Sequence, residues 1–167
     1  MAPRFLTSFA AAACVACAAC EPASLTDGGT WRTQIAGKPF ALTVSASDAT
    51  RTRGLGGVAR IEEDGGMVFV FPNSEMRGFW MKDCVTDMDI VYLDPLGYVT
   101  AIHTMRKEPP RGPSESAFAY ESRLPRYTSL LPAQYAIELR AGRAAELGLR
   151  TSQKVAIDEK ALKAALR

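Results

Sequence analysis

The apolar positions of this chain fall in short runs separated by Gly, Pro and Asp, and most runs are too short for helices. Residues 31–35 and 40–46 flank Ala36-Gly37-Lys38-Pro39, and in the second run Phe40, Leu42 and Val44 alternate with smaller residues. A period of two on either side of a turn predicts a β-hairpin. Ser47-Asp48-Ala49-Thr50 then offers a cap for a short helical turn carrying Arg51 and Arg53, and Gly54, Gly56 and Gly57 end it. Residues 67–71 form an apolar run of strand length, opened by Gly65-Gly66 and closed by Pro72-Asn73-Ser74. Residues 78–81 and 89–94 are two more. Pro95-Leu96-Gly97 turns the last of these into residues 98–103, which gives the clearest hairpin in the chain. Residues 133–139 are a further strand with Tyr135, Ile137 and Leu139 on one face, and 142–147 are a short helix stopped by Gly148. Residues 154–157 read as a final short strand, and Asp158 caps an amphipathic helical segment that runs to Leu166.

Seven or eight short strands with only short helices between them predict a mainly β chain: a single small β-sandwich or partly open barrel with a few short helices. Residues 105–127, rich in Pro, Arg, Ser and Glu, are long for an unstructured connection. They are a functional loop or a segment ordered by packing.

The N-terminus breaks this pattern. Arg4 is followed by a run from Phe5 to Ala19 without a charge, and Glu21-Pro22 restores polarity. Fifteen residues are too few for a stable membrane span, so residues 1–20 read as a signal segment. Ala18-Ala19-Cys20 resembles a bacterial lipoprotein signal, with cleavage before Cys20 and lipid attachment to it. Ordinary signal-peptidase cleavage, and so plain secretion, is the alternative. Residues 21–30 form a polar tether, 31–158 a single β-rich domain, and 159–167 a C-terminal helical tail. The expected location is a bacterial periplasm or envelope, with the membrane reached only through the lipid on Cys20.

That reading changes the meaning of the cysteines. Cys14, Cys17 and Cys20 are spaced like metal ligands, but they lie in or beside the signal segment, which has no room for a folded shell. Cys84 is then the only thiol of the domain, so no internal disulfide is expected, and neither a metal nor a cofactor. Charge excludes more. The chain carries 20 Lys+Arg and 18 Asp+Glu, and only Arg4 of these lies in residues 1–20. A nearly neutral domain has no global reason to bind nucleic acid. Apolar residues at 47% exclude wholesale disorder.

Four blocks carry a resemblance. Arg53-Gly54-Leu55, Gly66-Met67-Val68-Phe69-Val70-Phe71, Phe79-Trp80-Met81-Lys82-Asp83 and Met88-Asp89-Ile90 stand in the order and spacing of the prokaryotic domain of unknown function 192 family. Ile137-Glu-Leu-Arg-Ala-Gly142 and Leu147-Gly-Leu149 match its closing strand and helix, so the resemblance spans roughly residues 35–157. It implies a mainly β sandwich with jelly-roll character and brings no established activity. This chain has Gly56 where the family has Met, and Asp83-Cys84 where it has Asn-Thr.

The richest chemistry lies between Trp80 and Asp89. Trp80, Lys82 and Asp83 at a strand end, with Asp89 beyond and Arg53 from the first family block, are the candidate ligand-binding residues. An indole offers a large apolar face and an edge donor beside the polar groups. The bland alternative places Trp80 and Met81 in the core, Lys82 in solvent and Asp89 at a turn. Asp83, Asp87 and Asp89 are also candidates for a hydrolase acting on carbohydrate, which needs two carboxyl groups at a definite separation. Cys84 with His103 is a weaker nucleophile–base pair. Arg106, Lys107, Arg111, Arg123 and Arg126 make the 105–127 segment basic, either as a solvated loop or as a site for an anionic envelope component. The first reading is therefore a non-enzymatic envelope protein that binds a small molecule, a polysaccharide or a partner. The second is the hydrolase, and the third a structural accessory domain.

Overall fold

The runs on either side of Ala36-Gly37 form an antiparallel hairpin, β1 (Thr30–Ile35) with β2 (Lys38–Ser45). In the computed structural model, which describes residues 25–167, ten further elements follow. They are α1 (Asp48–Arg53), β3 (Met67–Glu75), β4 (Gly78–Phe79), β5 (Met88–Leu93), β6 (Val99–Met105), α2 (Ala117–Arg123), β7 (Tyr127–Thr128), β8 (Ala133–Arg140), α3 (Arg143–Glu146) and α4 (Glu159–Ala164). Six strands make one mixed sheet in the order β1-β2-β3-β8-β5-β6, open at both edges, and β4 with β7 makes a separate two-stranded ribbon. The expected fold class, mainly β and partly open with a few short helices, is the one the chain adopts. The segment expected to be a signal, with Cys20 at its end, lies outside the described residues. No helix among those described is long and apolar enough to cross a membrane.

One pairing positions everything that follows. β2 and β3 are parallel, whereas the other pairs are antiparallel. Parallel neighbours cannot be joined by a tight turn, so the chain must cross the sheet between them. Residues 46–66 make that crossing and carry α1 and the Gly-rich stretch over one face. Ser47 caps α1 by accepting from the Thr50 N–H at 3.2 Å, with the reciprocal bond completing a capping box.

Both faces of the sheet are covered. On one, Leu42, Val44, Val68, Val70, Val91, Leu93, Tyr135, Ile137 and Leu139 pack with Leu162 of α4 and Ala144 of α3. On the other, Met67, Phe69, Met88, Ile90, Tyr92 and Ala136 pack beneath Leu55, Ile61 and Met81. The C-terminal segment is part of the first core, since Leu162 is fully buried. Asp158 caps α4 as its sequence suggested, accepting from the Ala161 N–H at 2.9 Å.

Three local expectations need correction. The strand through residues 67–71 does not end at Pro72 but runs to Glu75. Its register with β8 shifts between Val70 and Glu75, and proline, which cannot donate to a ladder, falls inside that irregularity. The strand expected at 78–81 shrinks to Gly78–Phe79, because its partner β7 is equally short. Residues 154–157 form no strand. Lys154 makes an isolated bridge to Tyr98, and the Val155 N–H donates to the Gly97 carbonyl at 2.9 Å, so this stretch is pinned to the β5–β6 turn instead of the sheet.

Candidate functional site

β8 lies in the middle of the sheet, between β3 and β5. Alternation sends Tyr135, Ile137 and Leu139 to the helix-covered face and therefore Ala136 and Glu138 to the other. Glu138 stands between Met67 on one side and Ile90 on the other, with 4% of its surface exposed. Its Oε2 is buried and has no hydrogen-bond partner. Burial pushes the carboxyl up to about 8, offset in part by the Leu55 backbone N–H. Burial thus favours its uncharged, protonated form at neutral pH.

The crossing segment closes over it. Gly66, with φ at 139°, lies so near β8 that a Cβ there would sit 2.1 Å from the Glu138 carbonyl oxygen. Gly54 ends α1 with φ at 50° and passes over the Glu138 side chain, where a Cβ would come 3.7 Å from Oε2. Beside these residues opens a cavity of about 410 Å³. Leu55, Phe69, Phe71 and Phe79 supply its apolar walls, and Glu138 and Cys84 also line it. Phe79 meets both Phe69 and Tyr92 edge-on, with centroids 4.7 and 5.7 Å apart.

Five cations stand around the cavity: Arg51, Arg53, Arg77, Lys82 and Arg126. Three are engaged. Arg51 pairs with Asp48 and donates to the Ala46 and Val70 carbonyls, the latter at 2.9 Å. Arg77 donates to the Asn73 carbonyl at 2.7 Å, approaches Glu75 at 3.4 Å and stacks on Phe71 at 4.1 Å. Lys82 pairs with Glu121 of α2, which raises its pKa. Arg126 lies 3.6 Å over the Trp80 ring. Neither Arg126 nor the exposed Arg53 has a carboxylate partner among the described residues.

Of the residues singled out in the sequence, the fold brings Arg53, Trp80 and Lys82 to this cavity. Trp80 is half-buried, neither core nor free surface. Asp83 and Asp89 are elsewhere. Asp83 is exposed, has φ at 57°, and accepts from the Tyr120 hydroxyl at 3.3 Å. Asp89 is buried and fully used: the Thr104 hydroxyl donates to it at 2.7 Å, and the Ala144 N–H at 2.9 Å ties it to α3. Asp87 accepts from Arg106 at 2.7 Å and from the Lys107 N–H at 2.9 Å. The three carboxylates thus serve three local purposes, and none of them lines the aromatic cavity. His103 Nε2 is bonded to the Thr128 carbonyl at 2.7 Å. Burial pushes the Cys84 thiol up to about 11, which suppresses the nucleophilic thiolate.

The cations of the basic 105–127 segment are held in different ways, and Arg106 pairs with Asp87 outside the segment at 2.7 Å. Arg123 pairs with Glu115 at 2.7 Å, and Arg111 donates to the Glu115 carbonyl. Arg126 alone of its cations lines the cavity. Sequence reasoning missed Glu138, Arg51 and Arg77. For Glu138 a signal existed: it is the one charged residue inside an apolar strand, on the face opposite Tyr135, Ile137 and Leu139. Nothing in the sequence told which cations the crossing segment would gather.

The profile of the domain of unknown function 192 family, described as an uncharacterized ACR, matches residues 31–157. This chain belongs to that family. Three of the blocks that resemble the family pattern converge on the cavity, through Arg53-Gly54-Leu55, through Phe69 and Phe71, and through Phe79-Trp80 with Lys82. No curated protein is significantly similar to the chain in sequence. Two solved structures share its fold. One is a proposed transcription regulator from Sinorhizobium meliloti 1021, 22% identical, with a TM-score of 0.59 over 75% of this chain and 89% of that one. The other is a protein of unknown function from Novosphingobium aromaticivorans DSM 12444, 22% identical, with a TM-score of 0.61 over 77% of this chain and 82% of that one. At that identity the likeness shows the fold alone.

Proposed function

We propose that this member of the family is an exported, non-enzymatic binding protein, held at a bacterial envelope by a lipid on Cys20, whose cavity beside Trp80 takes a small molecule. The observation that carries the ligand reading is the convergence of three family blocks on one aromatic cavity, with a buried carboxyl at its floor whose Oε2 has no hydrogen-bond partner. Buried polar groups without partners are uncommon, and a ligand that supplies the missing partner is a natural reason to retain one. The carbohydrate hydrolase fares worse, because Asp83, Asp87 and Asp89 do not face a common cleft with Trp80. Export rests on Arg4, the uncharged run to Ala19 and Cys20.

The binding reading is tested by calorimetry on the purified protein against a panel of small organic acids, amines and sugars. Trp80 emission is followed in parallel. Binding of at least one class, weakened tenfold or more by Trp80→Ala, is the expected result. Ligands that bind the Trp80→Ala variant unchanged, or no binding from any class, would overturn it. For the anchor, a labelled fatty acid should appear on the wild type and vanish in Cys20→Ser. Equal labelling of both would leave simple secretion.

A further inference from the structure

We propose that the cavity is specific for a small organic acid, whose anionic group lies between Arg53 and Arg126 and whose second oxygen accepts a hydrogen bond from the carboxylic acid of Glu138. This rests on the binding reading above and adds the ligand's chemistry to it.

The groups lining the cavity differ in kind. Arg53 and Arg126 are exposed cations with no carboxylate partner among the described residues, and Arg126 is held in place by its stacking on Trp80. Guanidinium groups suit a planar carboxylate, which they meet with paired N–H donors. The floor is apolar apart from Glu138. Met67 and Ile90 flank it along the sheet, Gly54 crosses above it, and Phe69 stands beside that glycine. The aromatic walls, Phe69, Phe71 and Phe79, suit an apolar body.

An amine that uses Glu138 as an anion is the competing ligand. Charge decides against it. The groups facing the cavity are Asp48, Arg51 and Arg53 on the crossing segment, Arg77 beside β4, Lys82 and Cys84 beyond it, and Arg126 before β7. Tyr92 on β5 packs in the same cluster. Cations outnumber carboxylates, and the one exposed carboxylate, Asp48, is already paired with Arg51. A cationic ligand would have to pass this rim. An acid is drawn in by it and meets a floor that is uncharged and has a proton to donate.

Three matched probes separate the possibilities on the purified protein: 4-acetylbenzoate, 4-isopropylbenzoate and 4-acetylbenzylamine. The first pair are close in size and differ in having a ketone oxygen or a methyl group at one position, and neither acid titrates between pH 6 and 9. At pH 6, 4-acetylbenzoate should bind about tenfold tighter than 4-isopropylbenzoate, the order expected for one hydrogen bond in a dry site. The amine should bind weakest. The preference for the acetyl compound should disappear as the pH is taken from 6 to 9 and Glu138 loses its proton. In Glu138→Gln, which keeps a donor and cannot ionise, the preference should persist at both pH values. Arg126→Ala should weaken both benzoates equally and leave their ratio unchanged. If the two benzoates bind alike in the wild type at pH 6, Glu138 does not contact the ligand; the inference fails while the cavity stands. Tightest binding of the amine likewise overturns the inference and keeps the cavity. If none of the three binds or perturbs Trp80, while amines or sugars of the panel do so through Trp80 and its organic acids do not, the organic-acid class is wrong. No binding by anything would remove the reading beneath it as well.

Discussion

Ile137 and Glu138 are neighbours on β8, between the same two strands, and they face opposite sides of the sheet. Ile137 stands between Val68 and Val91, and its side is closed by α3, α4 and branched aliphatic side chains. Glu138 stands between Met67 and Ile90, and its side is closed by irregular chain: the crossing segment with its glycines, and the stretch from Phe79 to Cys84. Helices present whole apolar stripes and fill space to high density. A Gly-rich loop cannot, since it brings backbone where a helix would bring side chains. The cavity lies on the loop-covered side because the β2–β3 crossover passes there. One face of the sheet is scaffold, and the other is where chemistry is affordable.

The comparison is broken most directly by emptying the scaffold face. Ile137→Ala removes a fully apolar side chain from a well-packed core and should cost about 4 kcal/mol, with no dependence on pH. Urea unfolding at pH 5 and pH 9 should show the same loss at both. A loss below about 1 kcal/mol would mean that this face is as loosely packed as the other.

Changing the adjacent residue should do the opposite. Glu138 keeps its proton in the folded chain up to about pH 8, against an ordinary value of 4.5 once unfolded. Between these pH values the folded state binds the extra proton, so stability falls as pH rises. The contribution is present in full below pH 4.5, falls by at most about 1.4 kcal/mol per pH unit above it, and is lost by about pH 8. Glu138→Gln should remove this slope and be the more stable protein at pH 8, by about 3 kcal/mol. Parallel pH profiles for wild type and variant would show that Glu138 is not held uncharged by its surroundings.

The two faces were also unequally legible in the sequence. The scaffold face is written in period-two alternation, and Phe40, Leu42 and Val44, or Tyr135, Ile137 and Leu139, disclose it without a structure. The cavity face is assembled from residues that are far apart in the chain: Arg53, Trp80, Arg126 and Glu138. Trp80, Lys82 and Arg53 stood out because they belong to uncommon blocks. Asp83 and Asp89 stood out for the same reason, yet one caps nothing in the cavity and the other anchors α3. Lys82 and Cys84 follow Trp80 to the cavity, but Asp83 between them does not, and Asp87 and Asp89 lie outside it, so nearness in sequence to Trp80 was a poor guide for the carboxylates.

The smallest expected effect sharpens the comparison furthest. Arg126 lies on the surface with its guanidinium 3.6 Å over Trp80. An exposed cation–π contact contributes about 0.5–1 kcal/mol, so Arg126→Ala should lower stability by no more than that. Its optical effect should be larger than its energetic one. Removing the guanidinium uncovers one face of the half-buried Trp80 indole to water, which should shift its emission to longer wavelength. Trp31, buried in the opposite core, supplies a constant short-wavelength background. Ile137→Ala should have the reverse signature, a large stability loss with Trp80 emission unmoved in the folded state. If Arg126→Ala instead destabilises the protein as much as Ile137→Ala does, the loop-covered face is carrying the fold, and the division between scaffold and site is wrong.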